Sequence, residues 1–99
     1  MIWNHSSLDT ESGKIVEGKG YFGGVVITTD GTNNVTVDVR DAITAGAGDK
    51  LIPTTVVLST ERIKAISMPQ KFNTGLYITI TTSGTTECIT LFDMRSGND

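Results

Sequence analysis

Apolar and polar residues alternate with period two along most of the chain, and no segment carries a convincing helical period. The clearest unit spans residues 20–41. Gly20-Tyr21-Phe22-Gly23-Gly24-Val25-Val26-Ile27-Thr28 predicts a strand, Thr29-Asp30-Gly31-Thr32-Asn33 supplies turn residues, and the chain returns from Asn34 to Asp41. Asp30-Gly31 is the usual dipeptide of a tight hairpin, so these two strands are expected to pair with each other. In the return strand Val35, Val37 and Val39 point one way and Thr36, Asp38 and Arg40 the other, as in a strand buried on one face. A second hairpin is expected over residues 75–93, with Ser83-Gly84-Thr85 as its turn. Apolar residues fall on both faces of its last strand, which suits a central position or a partner.

Between these units, residues 42–49 are small and flexible and predict a loop. Lys50-Leu51-Ile52-Pro53 opens an extended stretch reaching Ser59, and Pro53, having no N–H for a ladder, marks an edge or a break. A short strand over residues 63–68 is closed by Pro69. Residues 1–14 are short of apolar anchors and are expected to form a surface loop or an arm onto a neighbour; residues 94–99 read as a loose tail. About six or seven strands at this turn spacing predict an all-β fold, a small antiparallel β-sandwich of jelly-roll-like type. Two facing sheets hide the apolar faces that a single open sheet would leave in water.

Composition narrows the classes. The 99 residues fit one domain, 1–99, and 37% hydrophobic with 19% charged residues is a globular composition. A chain this short buries only about 60–65% of its unfolded surface, so assembly with neighbours would add useful stability. The net charge is −3 and the eight Lys and Arg are scattered, which argues against nucleic acid as a partner. The close pair Arg62 and Lys64 is expected at a solvated strand edge. Cys88 is the single cysteine and, inside an apolar run, reads as a buried structural thiol. No apolar run approaches the ~20 residues of a membrane span, and Met1-Ile2-Trp3-Asn4-His5 lacks signal-peptide character, so no membrane partner is expected.

Candidate chemistry adds little. Gly18-Lys19-Gly20-Tyr21-Phe22-Gly23 matches G-x-G-x-x-G, but a dinucleotide site needs a helix after it and a strand follows here. Glycines at a bulge or under a packed ring explain the motif better, and no cofactor is expected. His5 is the only histidine; with Ser6 and Ser7 beside it in sequence, no nucleophile–base–orienter set can be assembled. One His and one Cys cannot hold zinc, and Asp30, Asp38, Asp41 and Asp49 read as solvated acids, so neither a catalytic nor a metal residue is assigned. Asn4-His5-Ser6 and Asn34-Val35-Thr36 match the glycosylation sequon and decide nothing without a signal peptide. The outward Thr28, Thr36, Thr79 and Thr81 suit a flat, hydrogen-bonding contact. Trp3, Tyr21, Tyr77 and Phe92 are the candidate interface anchors, although aromatics serve equally well as caps on a core.

With these strands placed, residues 20–37, Lys50-Leu51-Ile52-Pro53 and Phe72-Asn73-Thr74-Gly75-Leu76-Tyr77-Ile78-Thr79-Ile80 resemble segments of small tailed-phage virion proteins. The resemblance covers most of residues 20–92, and its motifs are strand and turn signatures. It implies a non-enzymatic β-sandwich on a virus particle, assembled in the host bacterial cytoplasm. The role implied is a capsid decoration (cement) or head-associated protein, homo-oligomeric and bound to the major capsid protein or other virion proteins. A neck, tail or fibre component that binds a receptor or glycan is the alternative. Such proteins commonly end in a tyrosine-rich strand, where this chain has Leu91-Phe92-Asp93.

Overall fold

The computed structural model describes residues 4–95. Nine strands run through them: β1 (His5–Asp9), β2 (Gly13–Glu17), β3 (Gly20–Thr28), β4 (Val35–Asp41), β5 (Asp49–Lys50), β6 (Thr55–Val57), β7 (Ile63–Phe72), β8 (Gly75–Thr82) and β9 (Cys88–Met94). They form two antiparallel sheets. Sheet I has the order β1-β9-β3-β7; sheet II has the order β2-β8-β4-β5, with β6 also on β4.

The pairing is that of one long ribbon folded back on itself near residues 42–54. If β5 and β6 are counted as a single interrupted strand, β4 pairs with β5 and β6, β3 with β7, β2 with β8 and β1 with β9. The ribbon then wraps until β3 meets β9 and β4 meets β8. That is the jelly roll, a two-sheet solution to burying alternating strands.

The predicted strands are present, but both predicted hairpins are corrected. β3 lies in sheet I and β4 in sheet II, and the same holds for β9 and β8. Their connections are therefore arches from one sheet to the other. Residues 4–14, expected as a loop or arm, carry β1 and the start of β2. The strand expected over 63–68 continues through Pro69 to Phe72, which β7 tolerates because it is an edge strand. Trp3 and the tail from residue 96 lie outside the described residues, and Met94 still belongs to β9.

The core sits between the sheets. Sheet I contributes Phe22, Val25 and Ile27 from β3, Phe72 from β7, and Cys88 and Phe92 from β9. Sheet II answers with Val35, Val37, Val39, Val57, Leu76 and Ile78. Glycine is demanded where backbones close on this core. Gly20 lies under the Phe72 ring, and Gly24, at φ +151°, sits at the register shift that β3 shows against both its neighbours. The glycine-rich run thus serves strand packing, as its neighbouring aromatics suggested.

Two buried positions among the described residues are polar, Thr86, whose hydroxyl is hydrogen-bonded, and Thr90. Thr90 is fully buried and its Oγ1 finds no hydrogen-bond partner among the described residues. A stranded hydroxyl carries a desolvation penalty that a methyl group of similar shape does not. Thr90→Val is expected to gain about 1 kcal/mol of stability, read as a higher urea midpoint at unchanged m-value.

Candidate interaction surface

Register places each outward residue of sheet I opposite its neighbours. Leu8 of β1 faces Ile89 of β9, Ile89 faces Val26 of β3, and Val26 faces Ala65 of β7. One aliphatic row therefore crosses all four strands. The adjacent row, Ser6–Leu91–Gly24–Ser67, also crosses the whole sheet without a charge. Among the described residues these rows are left open: Leu8 is 58% exposed and Ile89 42%, and Ile63 at the end of the face is 60% exposed. A contiguous apolar strip of this kind, unlike scattered exposed aliphatics, is a candidate contact surface.

The outer face of sheet II is different in kind. Thr36 pairs with Thr81, Asp38 with Thr79 and Arg40 with Tyr77. Arg40 Nε donates to Asp38 Oδ2 at 2.9 Å, so this face carries hydroxyls and an internal ion pair. Its threonines point outward as their alternation required.

The aromatic anchors do not converge. Tyr21 is 39% exposed on the outer face of sheet I, with the Arg95 guanidinium 5.5 Å from its ring centroid. Tyr77 is half-buried on the opposite face of the molecule. Phe92 is only 6% exposed, points into the core opposite Phe22, and stacks on His5 at 5.3 Å. Phe92 is thus a core residue, because the register of β9 turns Leu91 outward in its place. What sequence reasoning missed is the aliphatic row itself.

The loop end of the sandwich forms an open groove of about 800 Å³ where residues 10–12 and the two arches meet. Most of its hydroxyls are already engaged. Thr28 Oγ1 donates to the Glu87 carbonyl at 3.0 Å, Thr86 Oγ1 to the Thr28 carbonyl at 2.6 Å, and Thr82 Oγ1 to the Asn34 carbonyl at 2.9 Å. Ser12 Oγ bridges the Ile80 amide and carbonyl at 2.8 and 3.2 Å. These bonds stitch the arches together.

Asp30 is the centre of that stitching. Its carboxylate accepts the Asn33 and Thr32 amides at 2.8 Å each, the Asn33 side-chain amide at 3.2 Å and the Thr85 amide of the other arch at 3.2 Å. Those donors, the Asn33 backbone amide first, hold its carboxyl well below the ordinary value of 3.8. Gly84 lies beside it, where a Cβ would displace the Asp30 carboxylate and the Asn33 side-chain amide. A depressed carboxyl pKa stabilises the fold above the unfolded value and loses that contribution as pH falls toward the folded one. Thermal stability is therefore expected to hold down to about pH 4 and to drop steeply below it, more in the wild type than in Asp30→Asn. Glu61, lowered in the same direction by the Leu58 amide and Lys64, leaves a smaller acid dependence in that variant.

Reactive groups are arranged structurally. Burial pushes the Cys88 thiol up, disfavouring a nucleophilic thiolate at neutral pH. His5 Nδ1 lies 3.8 Å from Asp93, while Ser7 Oγ donates to Asp9 at 3.0 Å. Asp41 accepts the Asn73, Thr74 and Gly75 amides and so clamps the β7–β8 corner. Lys64 pairs with Glu61 at the sheet edge. Among the described residues no three His, Cys, Asp or Glu side chains gather as metal ligands. Compared with models of known protein families, with curated proteins and with solved structures, the chain matches none.

Proposed function

We propose that this chain is a non-enzymatic structural protein of a tailed-phage particle, a decoration (cement) protein that binds the assembled capsid and stabilises it. One observation carries the binding half of this reading: the jelly roll closes its own core yet keeps two uncharged rows, Leu8–Ile89–Val26–Ala65 and Ser6–Leu91–Gly24–Ser67, on its outer surface. The virion half is supported by the likeness of residues 20–37, 50–53 and 72–80 to small virion proteins. In this role many copies hold neighbouring capsid subunits, and avidity supplies what one small contact lacks.

The groove at the loop end supports a second reading, a neck, tail or fibre component that recognises a receptor or glycan. It is the weaker one, because the groove's hydroxyls are largely committed to the arches. Quantitative mass spectrometry of purified particles separates the two. Hundreds of copies per particle are expected for decoration, whereas a single ring of copies would move the protein to the neck or tail.

A further inference from the structure

We infer that the outer face of sheet I is the interface of a two-fold homodimer, in which sheet I of one copy packs on sheet I of another. The inference rests on the same two rows that carry the proposed binding and assigns them to a second copy, leaving sheet II free. Three properties of that face point to a second copy.

The first is shape. Consider a two-fold axis running along the strands, midway between the two inner strands β9 and β3. It brings β1 over the partner's β7 and β9 over the partner's β3, each row meeting its own copy in reverse order. Leu8, large, then lies over Ala65, small, and Ile89 over Val26. In the next row Leu91 lies over Gly24, and Ser6 over Ser67. A large side chain meets a small one where Leu8 lies over Ala65 and Leu91 over Gly24, and the two-fold repeats each contact, the self-complementarity that such an interface requires.

Charge is the second property. The two rows contain no ionisable side chain, and around them Asp93 and Glu87 are balanced by Lys71 and by Arg95 over the Tyr21 ring. The face is neutral although the chain has a net charge of −3, so its surplus negative charge does not oppose self-contact there. Asp93 would meet the partner's Tyr21, a carboxylate opposite a phenol.

Area is the third. The four strands, of 5, 7, 9 and 10 residues and about 4.8 Å apart, give a flat footprint of about 500 Å² before side-chain relief is counted. A specific interface buries at least about 1,000 Å² in total, about 500 Å² per partner, so the whole face reaches the size a small dimer needs. Stacked sheets pack about 10 Å apart, the spacing these aliphatic side chains fill. The dimer turns the two copies of sheet II outward, facing opposite ways.

Sedimentation velocity and native mass spectrometry of the purified chain at micromolar concentration test this. A dimer is expected. Ile89→Lys should weaken it at least tenfold with the circular dichroism spectrum unchanged, while Thr79→Lys on sheet II should leave it intact. Ala65→Leu should also weaken it at least tenfold, and adding Leu8→Ala to that variant should restore it. Those two residues sit on opposite edges of one sheet, so their coupling can arise only between copies. A wild-type monomer, or a dimer broken by Thr79→Lys and not by Ile89→Lys, would overturn the inference. A monomer would leave the virion reading standing.

Discussion

Truncating Phe22 to alanine is expected to cost about 3–5 kcal/mol, the range for a fully buried phenylalanine. Phe22 has no exposed surface, comes from the inner strand β3, and lies opposite the near-buried Phe92 of β9. Both sheets pack around it, so the cavity cannot collapse by moving one loop. A domain of this size holds about 5–15 kcal/mol in total, so the variant should lose about a fifth of its stability or more. Equilibrium urea unfolding measures the loss; a change below about 1 kcal/mol would contradict the placement of Phe22 at the core's centre.

Gly20→Ala is the second large effect, expected at about 3 kcal/mol, the upper part of the overpacking range. A Cβ at this position would enter the Asp93 carbonyl oxygen and the Phe72 ring at once. One obstacle is backbone of the neighbouring strand, which cannot swing aside without opening the β3–β9 ladder. The other is a buried ring, which cannot move without leaving a void. Urea unfolding with no nucleotide present is the appropriate measurement. A loss of stability there assigns the glycine to packing, and an unchanged midpoint would reopen the question of why the run is so rich in glycine.

The strands were legible because each has one apolar face; their partners were not. Val35, Val37 and Val39 demand something apolar above them, and a hairpin neighbour or a facing sheet both serve. What decides is the connection. Residues 29–34 contain Asp30-Gly31, but Asp30 turns its carboxylate to the Thr32 and Asn33 amides and on to Thr85. It ties two arches together across a long sequence distance, and nothing local announces that.

β1 escaped notice for a related reason. Its inward residues His5, Ser7 and Asp9 are polar because an edge strand at the rim need not fill the core. The interaction surface was hidden more deeply still. Leu8, Val26, Ala65 and Ile89 come from four strands, and only the register makes them one row. The available signal was β9, whose apolar residues on both faces fit a strand central in its sheet and uncovered on the outside. Aromatic content pointed to Tyr21, Tyr77 and Phe92, of which Tyr21 alone lies on this face.

The most direct measurement is electron cryomicroscopy of purified phage particles that encode this chain. The expected result is many two-sheet jelly rolls bound on the outer capsid shell, in contact with its major subunits. Particles whose shell, neck and tail all lack the chain would contradict a structural role in the virion.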